Sequence, residues 1–197
     1  MGHTKHKLLI ATVLLFVLSF FGLTPEVALA EGPIEAYVYQ EGKDNQATIR
    51  QEAQDSLARL YQLGSNNTGY IYQAGEGNAS WQIQNGHSNV AYAEIIGNNN
   101  MTVQNQLGDG NDLFIWQSGN NNLFVQSQIG FENQAYAWVE GSRNAIRQSQ
   151  IGYRHNSRVT ISGDNNTVDH VQLGSGTDLA VTYIGDNAVI KAFRFGF

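Results

Sequence analysis

Gly69-Tyr70-Ile71-Tyr72-Gln73-Ala74-Gly75-Glu76-Gly77-Asn78 is one unit of a pattern that fills most of the chain. Gly69, Ile71 and Gln73 stand six, four and two residues before Gly75, with Tyr70 and Tyr72 between them. Such alternation suits a half-buried strand, because successive side chains point to opposite faces. Ala36-Val38-Gln40, Ala47-Ile49-Gln51 and Ala58-Leu60-Gln62 repeat the small, aliphatic and amide face. Tyr37, Tyr39, Thr48, Arg50, Arg59 and Tyr61 occupy the other face.

The unit recurs every 11 residues without insertion or deletion. From Gly42 the steps fall on Ala53, Gly64, Gly75, Gly86, Gly97, Gly108, Gly119, Gly130, Gly141, Gly152, Gly163, Gly174, Gly185 and Gly196. Two residues earlier lie Gln40, Gln51, Gln62, Gln73, Gln84, Gln106, Gln117, Gln128, Gln150 and Gln172, with Ile95, Val139, Ile161, Tyr183 and Arg194 as interruptions. Three residues later lie Asn45, Asn67, Asn78, Asn89, Asn100, Asn111, Asn122, Asn133, Asn144 and Asn166, replaced elsewhere by Ser56, His155, Thr177 and Ala188.

A period of 11 also marks right-handed helical supercoils. Gly and Asn in nearly every period, with Thr, Val, Ile and Tyr between them, oppose helix and favour strand. The predicted fold class is therefore all-β: a parallel β-solenoid in which each unit is one strand and one turn, with Gly and then Asn supplying the positive φ of the reversal. Two units return the chain to its starting edge, giving 22-residue rungs. About seven rungs spaced at about 4.8 Å predict a stack about 35 Å long.

A 22-residue phase is visible as well. The Gln two before Gly is unbroken at Gln40, Gln62, Gln84, Gln106, Gln128, Gln150 and Gln172, and the same phase carries Gln82, Gln104, Gln126 and Gln148. The two sheets are thus expected to be unlike, with stacked Gln and Asn amides hydrogen-bonding along the stack. From Glu35 onward every Asp, Glu, Lys and Arg except Arg194 falls in a turn or on the face assigned outward. An interior predicts this, since an unpaired buried charge costs several kcal/mol.

Residues 1–30 read as a secretory signal. His3, Lys5, His6 and Lys7 precede the apolar run Leu8 to Phe21, and Ala28-Leu29-Ala30 forms a small-residue cleavage site before Glu31. The run falls short of the roughly 20 apolar residues of a spanning helix. The mature chain, 31–197, is then expected outside the cell, with no membrane span. With no Cys it has no disulfides, and a net charge of -6 gives no reason to expect nucleic-acid binding. The repeat begins soon after Glu31 and runs to the end of the sequence, so the ends are expected to be uncapped strand edges that template further copies.

Ala36-Tyr37-Val38-Tyr39-Gln40-Glu41-Gly42-Lys43-Asp44-Asn45 and the unit quoted first resemble the curlin repeat of curli, the amyloid fibres of Gram-negative biofilms. They match its A-x-[IV]-x-Q-x-G-x-x-N half-repeat, and the likeness extends over the mature chain. It implies a fibre subunit, major or nucleator, that polymerises by strand stacking for cell adhesion and biofilm matrix. It also implies a second curlin subunit as partner, with export through the curli pore aided by chaperones. The Gln and Asn columns carry over as the family's structural positions. No Gly-rich export segment separates Glu31 from the repeats, unlike the family's major subunit, and Lys191 and Arg194 give the last unit a basic character like that of the nucleator.

The rival reading is a non-polymerising surface β-solenoid, either an adhesin or a ligand-binding protein. Ice binders of this shape need a flat Thr ladder, whereas the outward columns here mix Tyr, Trp, Arg, Val and Glu. Asp44, Asp109, Asp164 and Asp186 look scattered and do not form a calcium-binding nonapeptide. His87, His155 and His170 sit in different columns with no recurring carboxylate partner, so neither catalysis nor a metal or other cofactor is expected.

Overall fold

A computed structural model of the protein describes residues 34–197. The expected signal sequence of residues 1–30, its expected cleavage site and Glu31 lie outside the described residues. All regular secondary structure among the described residues is strand, and no helix is long and apolar enough to cross a membrane.

Eight strands form one sheet, here sheet A: β1 (Glu35–Lys43), β3 (Leu57–Ser65), β5 (Ala79–His87), β7 (Met101–Asp109), β9 (Leu123–Phe131), β11 (Ala145–Tyr153), β13 (Thr167–Ser175) and β15 (Val189–Phe195). Seven form sheet B: β2 (Gln46–Gln54), β4 (Thr68–Glu76), β6 (Val90–Ile96), β8 (Asp112–Ser118), β10 (Gln134–Glu140), β12 (Asn156–Ser162) and β14 (Asp178–Ile184). All neighbours are parallel, and each residue pairs with the one 22 positions away, as in Gln62 with Gln84 and Gln128 with Gln150. The protein is therefore a β-solenoid of about seven two-strand turns, as its periodicity predicts.

The interior lies between the two sheets, and its walls differ. Sheet B contributes mainly aliphatic groups: Ile71, Ala93, Ile95, Leu113, Ile115, Val139, Val159 and Ile161 are buried. Sheet A contributes Gln62, Gln82, Gln84, Gln104, Gln106, Gln126, Gln128, Gln148 and Gln150, all buried, beside Leu60, Phe124, Ile146 and Val168. No Asp, Glu, Lys or Arg is buried among the described residues. His170 is fully buried, whereas Arg194 is exposed at the outer strand of sheet A.

Gly is required at its column because the rungs close on it. A Cβ on Gly108, at φ +118, would lie 2.0 Å from the carbonyl oxygen of Gly130 in the next rung. Ala53 fills the column only where the backbone keeps a negative φ.

The turns depart from the expected chemistry in one respect. No Asn of the Asn column has a positive φ; the left-handed residue is the one before it, such as Asn66, Gly77, Ser88, Glu132 or Arg143. Most of the Asn column is buried instead, because its amides serve as interior hydrogen-bonding groups.

Candidate functional site: amide ladders and open edges

The Gln column of sheet A forms one continuous, directed ladder. Nε2 of Gln40 donates to Oε1 of Gln62 at 2.6 Å, and the step repeats from Gln62 to Gln84, Gln84 to Gln106, Gln106 to Gln128, Gln128 to Gln150 and Gln150 to Gln172. Each amide from Gln62 onward also reaches across to sheet B, as where Gln106 donates to the Val90 carbonyl and Gln128 to that of Asp112. A buried amide has two N–H groups to satisfy. One bond along the stack and one across it accomplish this.

Gln82, Gln104, Gln126 and Gln148 form a second ladder beside the first. His170 occupies the next position, and Gln148 Nε2 turns aside to Ser157 Oγ, which lies 3.3 Å from His170 Nδ1. Burial lowers the His170 pKa to about 4, partly opposed by the neighbouring Asp169 carboxylate. Ser157 and His170 are both fully buried, so this pair is an interior hydrogen bond that no substrate reaches.

Sheet B brings only part of its column together. Gln51 donates to Gln73 at 2.8 Å, but Ile95 follows Gln73. Gln117 sits between Ile95 and Val139, and neither its Nε2 nor its Oε1 finds a partner.

The Asn columns stack at the two turns. Asn89 donates both its backbone N–H and its Nδ2 to Asn67 Oδ1, while its Nδ2 also reaches the Gly108 carbonyl in the next rung. Asn45, Asn111 and Asn133 continue that turn; Asn78, Asn100, Asn122, Asn144 and Asn166 line the other. His155 takes an Asn place without breaking the stack: its N–H bonds to Asn133 Oδ1, its Nε2 meets the Ile151 carbonyl, and its Nδ1 meets Thr177 Oγ1.

One ladder escaped the sequence reading. The residue after Gly in the turns that follow sheet B accepts the backbone N–H of its counterpart in the rung before. The bonds run from Glu76 to Asn98, Asn98 to Asn120, Asn120 to Ser142, Ser142 to Asp164 and Asp164 to Asp186. Asp164 and Asp186 are therefore stacked members of one column, which corrects their description as scattered. The recurrence of Asn, Ser and Asp at spacing 22 was the available signal.

Outside sheet B, Tyr70, Tyr92 and Phe114 stack at centroid distances of 4.7 and 5.0 Å, and Trp116 lies 3.9 Å from Trp138. At the ends of the stack, β1 and β2 pair on one side only, as do β14 and β15, among the described residues. Their outward backbone groups have no strand partner among the described residues. His87, His155 and His170 do not converge, and no group of His, Asp and Glu among the described residues is arranged to hold a metal ion.

Residues 53–80 match the family model described as curlin associated repeat. No curated protein and no solved structure matches the chain.

Proposed function

From a chain that carries the curlin associated repeat, we propose that the protein is a structural, non-enzymatic subunit of an extracellular curli-like amyloid fibre. Copies add head to tail by strand stacking, and the fibre serves cell adhesion and biofilm matrix. One observation carries this reading: the interior repeats on itself at an unvarying register, and the outer strands at both ends keep open hydrogen-bonding edges among the described residues. A stack whose strands pair at one register within a copy offers the same backbone pairing between copies.

In this reading residues 1–30 direct secretion and are removed before Glu31. The mature chain works at the cell surface without cofactor or nucleic acid. Its partners are further copies of itself, a second curlin subunit, and a curli-type export pore with its chaperones. Mature chain incubated over a range of concentrations should form thioflavin-positive fibres with a reflection at about 4.7–4.8 Å. A monomer that persists at high concentration would sink the reading.

A further inference from the structure

The Gln ladder of sheet A ends in two unlike groups. Gln40 gives its Nε2 to Gln62, but nothing among the described residues donates to its Oε1. Arg194 stands one rung beyond Gln172 in the same column, exposed, with no hydrogen bond or ion pair among the described residues. Each amide from Gln40 to Gln150 donates toward the C-terminal side, whereas Gln172 donates to Asn156 and Thr177, so the donor facing a copy beyond the last strand is Arg194 and that copy must offer an acceptor. Gln40 offers one, and a guanidinium is purely a donor.

The flanking positions agree. Extending sheet A by one more strand sets Ile190 against Ala36, Ala192 against Val38, Phe193 against Tyr39 and Lys191 against Tyr37, while β14 and β2, in the sheet with one strand fewer, do not meet across this junction. These are apolar, aromatic and cation–ring pairs of the kind that stabilise neighbouring strands. Charge is complementary along the pairing strands too: β1 carries Glu35 and Glu41 against Lys43, while β15 carries Lys191 and Arg194 and no carboxylate side chain. Opposed charges favour encounter of these edges over encounter of like edges.

We propose that β15 of one copy pairs in parallel with β1 of a second copy, and that the Arg194 guanidinium donates to the open Oε1 of Gln40 across the junction. This rests on the polymerisation reading above and adds the residues that set its polarity. The junction replaces one amide step of the ladder by a guanidinium step and fixes which ends meet.

Elongation of wild-type seeds by variant monomers, followed by thioflavin fluorescence, tests it. Arg194→Glu and Gln40→Arg should each slow elongation at least about tenfold, the scale expected for loss of a charge-assisted contact. Combining them restores an opposite arrangement of donor and acceptor, and should return the rate to within about threefold of wild type. Arg158→Glu, the same charge change at an exposed strand position away from both ends, should stay within about threefold because it lies outside the junction. Undiminished elongation by Arg194→Glu, or a double variant no faster than either single one, overturns the junction while leaving polymerisation intact. A wild-type chain that forms no fibre removes both.

Discussion

Gln106 Nε2 donates to Gln128 Oε1 at 3.1 Å, while Gln117, midway between them in sequence, has no partner for either end of its amide. The same residue type in the same place of the repeat thus has opposite energetic consequences in the two sheets. A buried amide in a ladder is satisfied; one between Ile95 and Val139 carries a desolvation cost of about 1–3 kcal/mol. Replacing Gln117 by Leu should stabilise the fold by about 1 kcal/mol or more, whereas Gln106→Leu should destabilise it by about 1–3 kcal/mol because it strands Gln84 and Gln128. Denaturant unfolding of soluble monomer distinguishes the two signs.

Gly108→Ala tests the close approach of the rungs. The added methyl meets the Gly130 carbonyl, and the φ of +118 is one that L-residues avoid. A loss of at least about 2 kcal/mol is expected, more than a Gly→Ala change costs where the backbone is compatible. Ala53→Gly should cost only about 0.5–1 kcal/mol by the same measurement, because Ala53 already sits in a permitted conformation and the change mainly loosens the unfolded chain.

His170 makes stability depend on pH. Its folded pKa, about 4, lies below the ordinary 6.5, so the unfolded chain takes up the proton first as the solution is acidified. Its contribution is complete above about pH 6.5, declines as pH falls, and is gone below about pH 4, a change of up to about 3 kcal/mol. His170→Gln, which continues the ladder from Gln148, should flatten that part of the pH profile when unfolding is followed between those limits.

Trp116 and Trp138 report on packing. Rings stacked at 3.9 Å interact strongly enough to leave an exciton signature in circular dichroism. Trp138→Thr should abolish it and leave the strand signal unchanged, since Trp138 is exposed and Thr160 already occupies the next place in that column.

Much of this was legible in the residues. The unvarying interval between Gly42 and Gly196 sets the register, and the exclusion of charge from one face marks the interior. Even the break around Gln117 is written in Ile95 and Val139. The left-handed turn position was not legible, because Gly, Asn, Asp, Ser, Glu and Arg all occupy it and no composition marks it. The conspicuous Asn one residue later drew the assignment instead. The Asn98 to Asp186 ladder was hidden for a similar reason: Asn, Ser and Asp are interchangeable as acceptors for an N–H, so a mixed column looks unordered. His155 shows the same tolerance inside, where two ring nitrogens do the work of an amide.

The unlike walls of the interior also constrain how such a gene can change in length. Duplicating or deleting a whole rung lays a Gln wall on a Gln wall and an aliphatic wall on an aliphatic one, so the protein lengthens or shortens without a new kind of contact. Duplicating a single strand and turn exchanges the walls for everything downstream, setting Gln148 and Gln150 into the column of Val159 and Ile161. Variation in copy number should therefore accumulate in pairs of units, with odd steps purged by the unmet amides they create.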